Sequence, residues 1–413
     1  MTIEGTCTPE FAGVREEFAR NFAERGEIGA SVCVTVDGQP VVDLWGGVAD
    51  VSTARPWAAD TIGHVWSATK GATALCAHLL ISRGELDLNA PVVTYWPEFA
   101  KNGKEGILVR HLLNHQAGLP AVREPLPPGS FYDWELMTET LASEEPFWRP
   151  GTRNGYHALT FGYLVGEVIR RVSGRTLGEF FRDEVAGPLG LEFWLGLPAE
   201  HEGRVAPTIP AAPPGPGDPV PGFYVAAMTD PTSVQALVIV NTGGYMLLPG
   251  ESDSRAAHAA EYGAVGGITN ARGLAGMYRP LALGGLMDGT AGGGRLIDPD
   301  QIAVMSAVSS ATSVDAVMLV PTRFTLGFCK TMDNRYLPLA DREGILMSGE
   351  AFGHTGMGGS HGFADPKARL SFGYTMNRQG TGLGVNERGQ SLIDAVYRAI
   401  GYHQIGDGGS WYS

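Results

Sequence analysis

Phe11, Val14, Phe18 and Phe22 recur at spacings of three and four, the period of a helix with one apolar face, so residues 9–25 are predicted to form an amphipathic helix. The period then drops to two. Val32, Val34 and Val36 alternate with small or polar residues, and Asp37-Gly38 supplies a positive-φ turn into residues 41–45, making an antiparallel hairpin. The chain is therefore expected to open helix, strand, strand. From residue 67 to about residue 285 helical spacing takes over: 67–83 closed by Gly84, 108–115 closed near Gly118, 131–142, and 157–172 with Leu164, Val165, Val168, Ile169 and Val172 on one side. Thr176 and Glu179 form a capping box that opens the next helix. Strand character returns over 353–365 and 369–376, around Asp365-Pro366-Lys367, and a last helix is predicted over 391–400.

Strands at both ends enclosing a helical middle imply an α/β fold of the α+β type, in which an antiparallel sheet built from both termini is flanked by helices and carries an inserted, mainly helical domain. The expected boundaries are 1–70 with 286–413 for the sheet domain and 71–285 for the helical one. A length of 413 residues agrees, because one hydrophobic core stops growing at roughly 250–300 residues. Seven prolines between 207 and 221 exclude a helix or a central strand, so 204–223 is read as an extended surface insertion, equally suited to cover a cleft or to serve as a connector.

With 44% hydrophobic and 18% charged residues the chain can fill two cores. A formal charge of −14 without a cluster of Lys and Arg argues against nucleic-acid and anionic-membrane partners. Cys7, Cys33, Cys76 and Cys329 form no CxxC pair and suit buried thiols rather than a metal site or a disulfide framework. No basic start followed by a long apolar stretch opens the chain, and no apolar run approaches the ~18–20 residues of a spanning helix; a cytoplasmic setting is expected. No metal or other cofactor is implied, and no pattern sets an oligomeric state.

Chemistry first surfaces in Trp66-Ser67-Ala68-Thr69-Lys70-Gly71, where a serine at a helix start has a lysine three residues on, the one serine in the chain that does. That spacing puts both on one face. A serine hydroxyl is a weak nucleophile until a base takes its proton, and a lysine serves only if burial or neighbouring cations lower its pKa. Alone, the pattern is weak and fits an N-capping serine beside a solvated lysine better. Two further segments change the picture. Pro150-Gly151-Thr152-Arg153-Asn154-Gly155-Tyr156-His157-Ala158 sets a tyrosine at a loop-to-helix junction, and Gly353-His354-Thr355-Gly356-Met357-Gly358-Gly359-Ser360 is a glycine-rich strand that a substrate can approach closely.

Taken in order, these three motifs resemble the class C β-lactamase-like serine hydrolase superfamily, and within it the family VIII carboxylesterases. Residues 109–120 and 266–285 resemble family segments too, so the likeness spans roughly residues 29–400. It implies a β-lactamase/penicillin-binding-protein-like fold and an esterase acting on small-molecule esters of short-to-medium acyl chains. By the same resemblance Ser67 is the acylated nucleophile, Lys70 its general base and Tyr156 the proton shuttle. The backbone N–H groups of Ser67 and Met357 form an oxyanion hole, each donor worth ~3–4 kcal/mol in the transition state. His354, Thr355, Gly356 and Gly358 line the substrate strand. Two departures from the lactamase pattern favour neutral esters: Tyr156-His157-Ala158 lacks an asparagine at its third position, and His354 stands where the lactamases carry a lysine. An acyltransferase, a β-lactamase or a D-aminopeptidase on the same fold is the alternative. A non-catalytic binding protein is a third, against which the intact Ser67, Lys70 and Tyr156 argue.

Other patterns compete. Gly358-Gly359-Ser360-His361-Gly362 fits G-x-S-x-G, but that motif needs a following helix, and Phe363-Ala364-Asp365-Pro366 leads to a turn and a strand instead. His111 and His115 are spaced like zinc ligands without the glutamate of H-E-x-x-H, and read as packing or hydrogen-bonding histidines. Residues 292–295 are glycine-rich but lack the ending of a phosphate loop and read as a turn.

Overall fold

The computed structural model describes residues 2–342, 344–382, 384–405 and 409–413. Its main sheet draws on both ends of the chain: β1 (Ile3–Cys7), β2 (Gly29–Val36), β3 (Gln39–Asp50), β4 (Phe352–Thr355), β5 (His361–Asp365) and β6 (Leu370–Met376). They lie in the order β1-β3-β2-β6-β5-β4 with every neighbour antiparallel, and the short strand Arg55–Pro56 pairs with β3. The predicted hairpin is β2–β3. Two details differ from expectation. A strand precedes the first helix, because Ile3-Glu4-Gly5-Thr6-Cys7 pairs along the edge of β3 with its side chains half-buried at most, too polar a run to signal a strand by itself. The stretch predicted as one strand over 353–365 is two, β4 and β5, folded about a tight turn in which Gly358 and Gly359 take φ of +82° and +125°.

Alternation along β2 and β6 gives the sheet two unlike faces. Val32, Val34, Phe372 and Tyr374 point to a core shared with Phe11 of the 3-10 turn Pro9–Phe11, with Val14 and Phe18 from the N-terminal helix α1 (Ala12–Glu24) and with Leu392 and Val396 from the C-terminal helix. Each such side chain contributes ~1.5–3 kcal/mol on burial. The other face is small and polar: Ser31 bonds to Thr375 at 2.8 Å and Thr35 to Ser371 at 2.7 Å. Cys33 packs against Ala271 and Ala275 of a helix over Ala271–Ala282, which crosses that face so closely that a Cβ on Gly373 would lie 2.3 Å from the Ala271 carbonyl oxygen.

Behind that helix lies the helical body. Its largest core joins α2 (Thr69–Ser82), buried over nearly its whole length, to α3 (Phe161–Ser173) through Leu75, Leu79, Leu164, Val168 and Ile169. Leu274, Met277 and Tyr278 of the crossing helix enter the same core, so Ala271–Ala282 connects both bodies. The Thr176–Glu179 capping box forms as expected. A second small sheet, Phe193–Leu195, Gly267–Thr269, Ile62–His64 and Val205–Ala206 in that order, was not foreseen in a region whose pattern is largely helical. Its strands are two or three residues long, too short for a period of two to register. Its importance is positional, for Ser67 follows Ile62–His64 by three residues.

Two ends of the chain are tied below the sheet. Glu27 is buried and accepts from Arg388 at 2.8 Å and from the Tyr374 hydroxyl, while Arg388 also donates to the Arg378 carbonyl at 2.7 Å. Burial pushes the Glu27 carboxyl up in spite of these partners. The four cysteines are free thiols. Among the described residues no single helix is long and apolar enough to cross a membrane, and no group of three metal-ligating side chains occurs.

Candidate active site

Ser67 sits in a 3-10 turn, Trp66–Ala68, that runs directly into α2. The turn is pinned from several sides. Trp66 takes φ of +48°, a conformation costing about 1–3 kcal/mol outside glycine, and stacks on His64 at 4.4 Å. Thr69 Oγ1 donates to the Trp66 carbonyl and accepts from the Gly267 N–H at 2.9 Å. In the first turn of the helix Lys70 is wholly buried, whereas Ser67 is half-buried. The Lys70 Nζ lies 2.9 Å from Ser67 Oγ and donates to the backbone carbonyls of Ala158 at 2.7 Å and Ala264 at 2.9 Å. No carboxylate pairs with it among the described residues, and burial holds its pKa well below the usual lysine range.

Tyr156 comes from the loop before α3. Its side chain interacts with that of Ser67, its ring centroid is 4.9 Å from Lys70 Nζ, and burial pushes its phenol pKa upward. The ring is framed by Phe324 at 5.7 Å, nearly parallel, by His115 at 4.8 Å and by His354 at 6.2 Å. The three side chains predicted to be catalytic are therefore neighbours, and Tyr156 is the one that lines the cavity described below.

The third motif arrives on β4. His354 is buried, its Nδ1 bonds to the Thr355 carbonyl at 2.8 Å, its Nε2 meets no partner among the described residues, and burial pushes its pKa down to about 3. It is thus a neutral imidazole at ordinary pH. His354 and Thr355 line the cavity beside Tyr156; Gly356 and Gly358 do not, and form the turn behind it. A Cβ on Gly356 would come within 2.2 Å of both the Val65 carbonyl oxygen and Ser360 Oγ, so this turn is seated on the backbone that leads to Ser67. The Met357 N–H, in that turn, meets no acceptor among the described residues. Ser360, the serine of the competing G-x-S-x-G pattern, is wholly buried and gives its hydroxyl to the Val65 carbonyl at 2.8 Å, with a strand rather than a helix following.

A cavity of about 130 Å³ opens on the Tyr156 side, walled by Phe223, Met318, Phe324, Met332, Ile345 and Val385. Pro221 and Phe223, at the end of the proline-rich insertion, line this cavity. Cys329 also lines the cavity, and burial raises its thiol pKa to about 12. The histidines spaced like zinc ligands separate in role: His111 Nδ1 accepts from the Leu108 N–H, while His115 Nδ1 accepts from the His157 N–H and its carbonyl from the Gly155 N–H, fixing the loop on either side of Tyr156. Residues 292–295 form a turn closed by the pairing of Leu286 with Arg295.

Sequence reasoning missed three parts of this arrangement. The two carbonyls that grip Lys70 are backbone atoms without a residue signature. Asp315, which accepts the Tyr156 N–H, is 159 residues away in the chain. The apolar cavity wall gathers side chains from loops that carry no periodicity.

An antiparallel sheet from both termini, an inserted helical body and a Ser-x-x-Lys helix start facing a tyrosine between them define the β-lactamase-type fold. The chain belongs to the Beta-lactamase family, whose profile matches residues 16–396. Among curated proteins it is similar to the esterase/beta-lactamase LipL of Mycobacterium tuberculosis, with 36% identity over 91% of this chain and 83% of that one. Among solved structures it is similar to a family VIII carboxylesterase, at 40% identity and a TM-score of 0.83 over 97% of this chain and 100% of the other. EstA from Arthrobacter nitroguajacolicus Rue61a is similar at 33% identity and a TM-score of 0.81, over 97% and 99%.

Proposed function

We propose that the protein is a carboxylesterase that cleaves neutral esters of short-to-medium acyl chains through an acyl-enzyme on Ser67. The observation that carries this reading is the Lys70 amine, buried without an acid partner and 2.9 Å from the Ser67 hydroxyl. A neutral amine has two N–H bonds and one lone pair. The carbonyls of Ala158 and Ala264 take the two hydrogens, which leaves the lone pair for the serine proton.

Attack by Ser67 Oγ on the ester carbonyl passes its proton to Lys70 and puts negative charge on the carbonyl oxygen. The N–H groups of Ser67 and Met357 are the donors for that oxygen. The Tyr156 phenol, kept protonated by burial, gives its proton to the departing alcohol and is reprotonated by the Lys70 ammonium. Water then follows the same route in reverse to free the acid. The apolar cavity beside Tyr156 suits uncharged ester groups, and the neutral His354 offers no charge to a substrate carboxylate.

The test is hydrolysis of p-nitrophenyl butyrate together with intact mass. Wild type is expected to gain one acyl group at Ser67 and to turn over, and Ser67→Ala to do neither; equal rates in the two proteins would overturn the reading. Residual β-lactam hydrolysis is a second reading, supported by the double name of LipL. Ala158, in place of an amide side chain, argues that nitrocefin turnover is weak or absent.

A further inference from the structure

Tyr156 is held by more than its ring contacts. Three consecutive amides are fixed from outside the loop: the Gly155 N–H on the His115 carbonyl, the His157 N–H on His115 Nδ1, and the Tyr156 N–H on Asp315 Oδ1 at 3.0 Å. Asp315 is wholly buried and has no cation partner among the described residues. The same Oδ1 accepts from the Val317 and Met318 N–H groups at 2.9 and 3.0 Å, and Oδ2 accepts from the Thr322 hydroxyl at 3.2 Å. One carboxylate thus organises a loop whose Leu319 takes φ of +61° and anchors the tyrosine as well. The loop is zipped to the tyrosine segment a second time, by the Ala316 N–H on the Asn154 carbonyl at 2.9 Å. Farther along it, Phe324 stacks on the Tyr156 ring, and Met318 and Val320 wall the cavity. From the other side Gln235 Nε2 donates to the carbonyls of Ala316 and Val317, at 2.9 Å each.

We propose that Asp315 is a positioning residue: it sets the Tyr156 phenol where that phenol can deliver a proton to the leaving alcohol. The proposal rests on the reading of Tyr156 as proton donor. A buried carboxylate without a cation is a costly way to close a loop, and the negative charge beside the tyrosine adds to the forces that keep its proton on. The other titratable groups around the ring are Lys70, His115, His354 and Cys329, and burial holds each of the four towards its neutral form.

The test compares kcat/KM for ethyl butyrate, whose ethanol needs a proton to leave, with p-nitrophenyl butyrate, whose nitrophenolate does not. Asp315→Ala is expected to lower the first by about a hundredfold and the second by about tenfold or less. Asp315→Asn keeps the amide acceptor at Oδ1 and is expected to restore most of the alkyl-ester activity. In a Tyr156→Phe background Asp315→Ala is expected to add almost nothing. Equal losses on both esters, no rescue by asparagine, or an undiminished further loss in the Tyr156→Phe background would each overturn the proposal. Should Asp315→Ala not fold, Gln235→Leu loosens the same loop from outside and is expected to give a smaller loss, still selective for the alkyl ester; a loss equal on both esters counts against the proposal. If Tyr156→Phe itself shows no selectivity between the esters, it is the proton-donor reading that fails, whatever Asp315 does.

Discussion

A lysine amine enclosed without a carboxylate gives up its proton because no partner offsets the cost of desolvating its charge. The consequence reaches stability. Lys70 in the folded protein titrates well below its unfolded value of roughly 10.4, so between the two the unfolded chain binds the extra proton. Wild-type stability is therefore expected to rise with pH from neutrality towards pH ~10 relative to Lys70→Met, which lacks the group. Urea unfolding at several pH values measures this, and parallel profiles would mean that Lys70 is charged in the fold. A contrast at Ser360 separates the two serines. Ser360→Ala loses one buried hydrogen bond and is expected to cost about 1 kcal/mol in denaturant unfolding while Ser67 still takes up a phosphonate probe. The meeting of Ser67, Lys70 and Tyr156 was legible because reactive side chains mark each of the three motifs. Ala158, Ala264 and Asp315 were not, since two act through backbone carbonyls and the third is a lone aspartate whose partner lies across the fold.

The turn between β4 and β5 shows what an interrupted pattern conceals. Read as one strand, 353–365 has the right composition; folded as two strands, it sets Gly356 onto the Val65 carbonyl and so braces the turn that carries Ser67. Gly356→Ala is expected to cost about 1–3 kcal/mol from overpacking and to reduce turnover more than a loss of that size elsewhere would. Thermal unfolding alongside ester kinetics checks both parts, and an unchanged kcat would separate the turn from the chemistry. The long periodic segments were the most legible: α1, the β2–β3 hairpin and α3 fall close to their predicted spans. The small sheet that delivers Ser67 was hidden because strands of two or three residues are set by their neighbours rather than by their own pattern.

The sheet as a whole depends on the pairing of β2 with β6, with Val34 opposite Phe372, and on the buried Glu27–Arg388 pair below it. Arg388→Ala is expected to destabilise by about 3–5 kcal/mol, because it leaves the Glu27 carboxyl buried and uncompensated, whereas a Glu27→Met, Arg388→Met double substitution should recover much of the loss. Guanidinium unfolding of the three proteins tests this, and a double variant no better than the single one would show that the pair contributes more than mutual neutralisation. The two-termini architecture was foreseen from where strand patterns cluster; which edge each strand takes was not, because register is decided by contacts more than three hundred positions apart. That separation bears on biosynthesis. β6 lies between β2 and β5, so a central slot of the sheet stays empty until residues 370–376 have left the ribosome, and the β2–β3 hairpin must wait with an open edge. The nascent chain is accordingly exposed to mispairing while the more than three hundred positions between β2 and β6 are made, and a holdase that shields the free side of β2 would raise its yield without touching the finished enzyme.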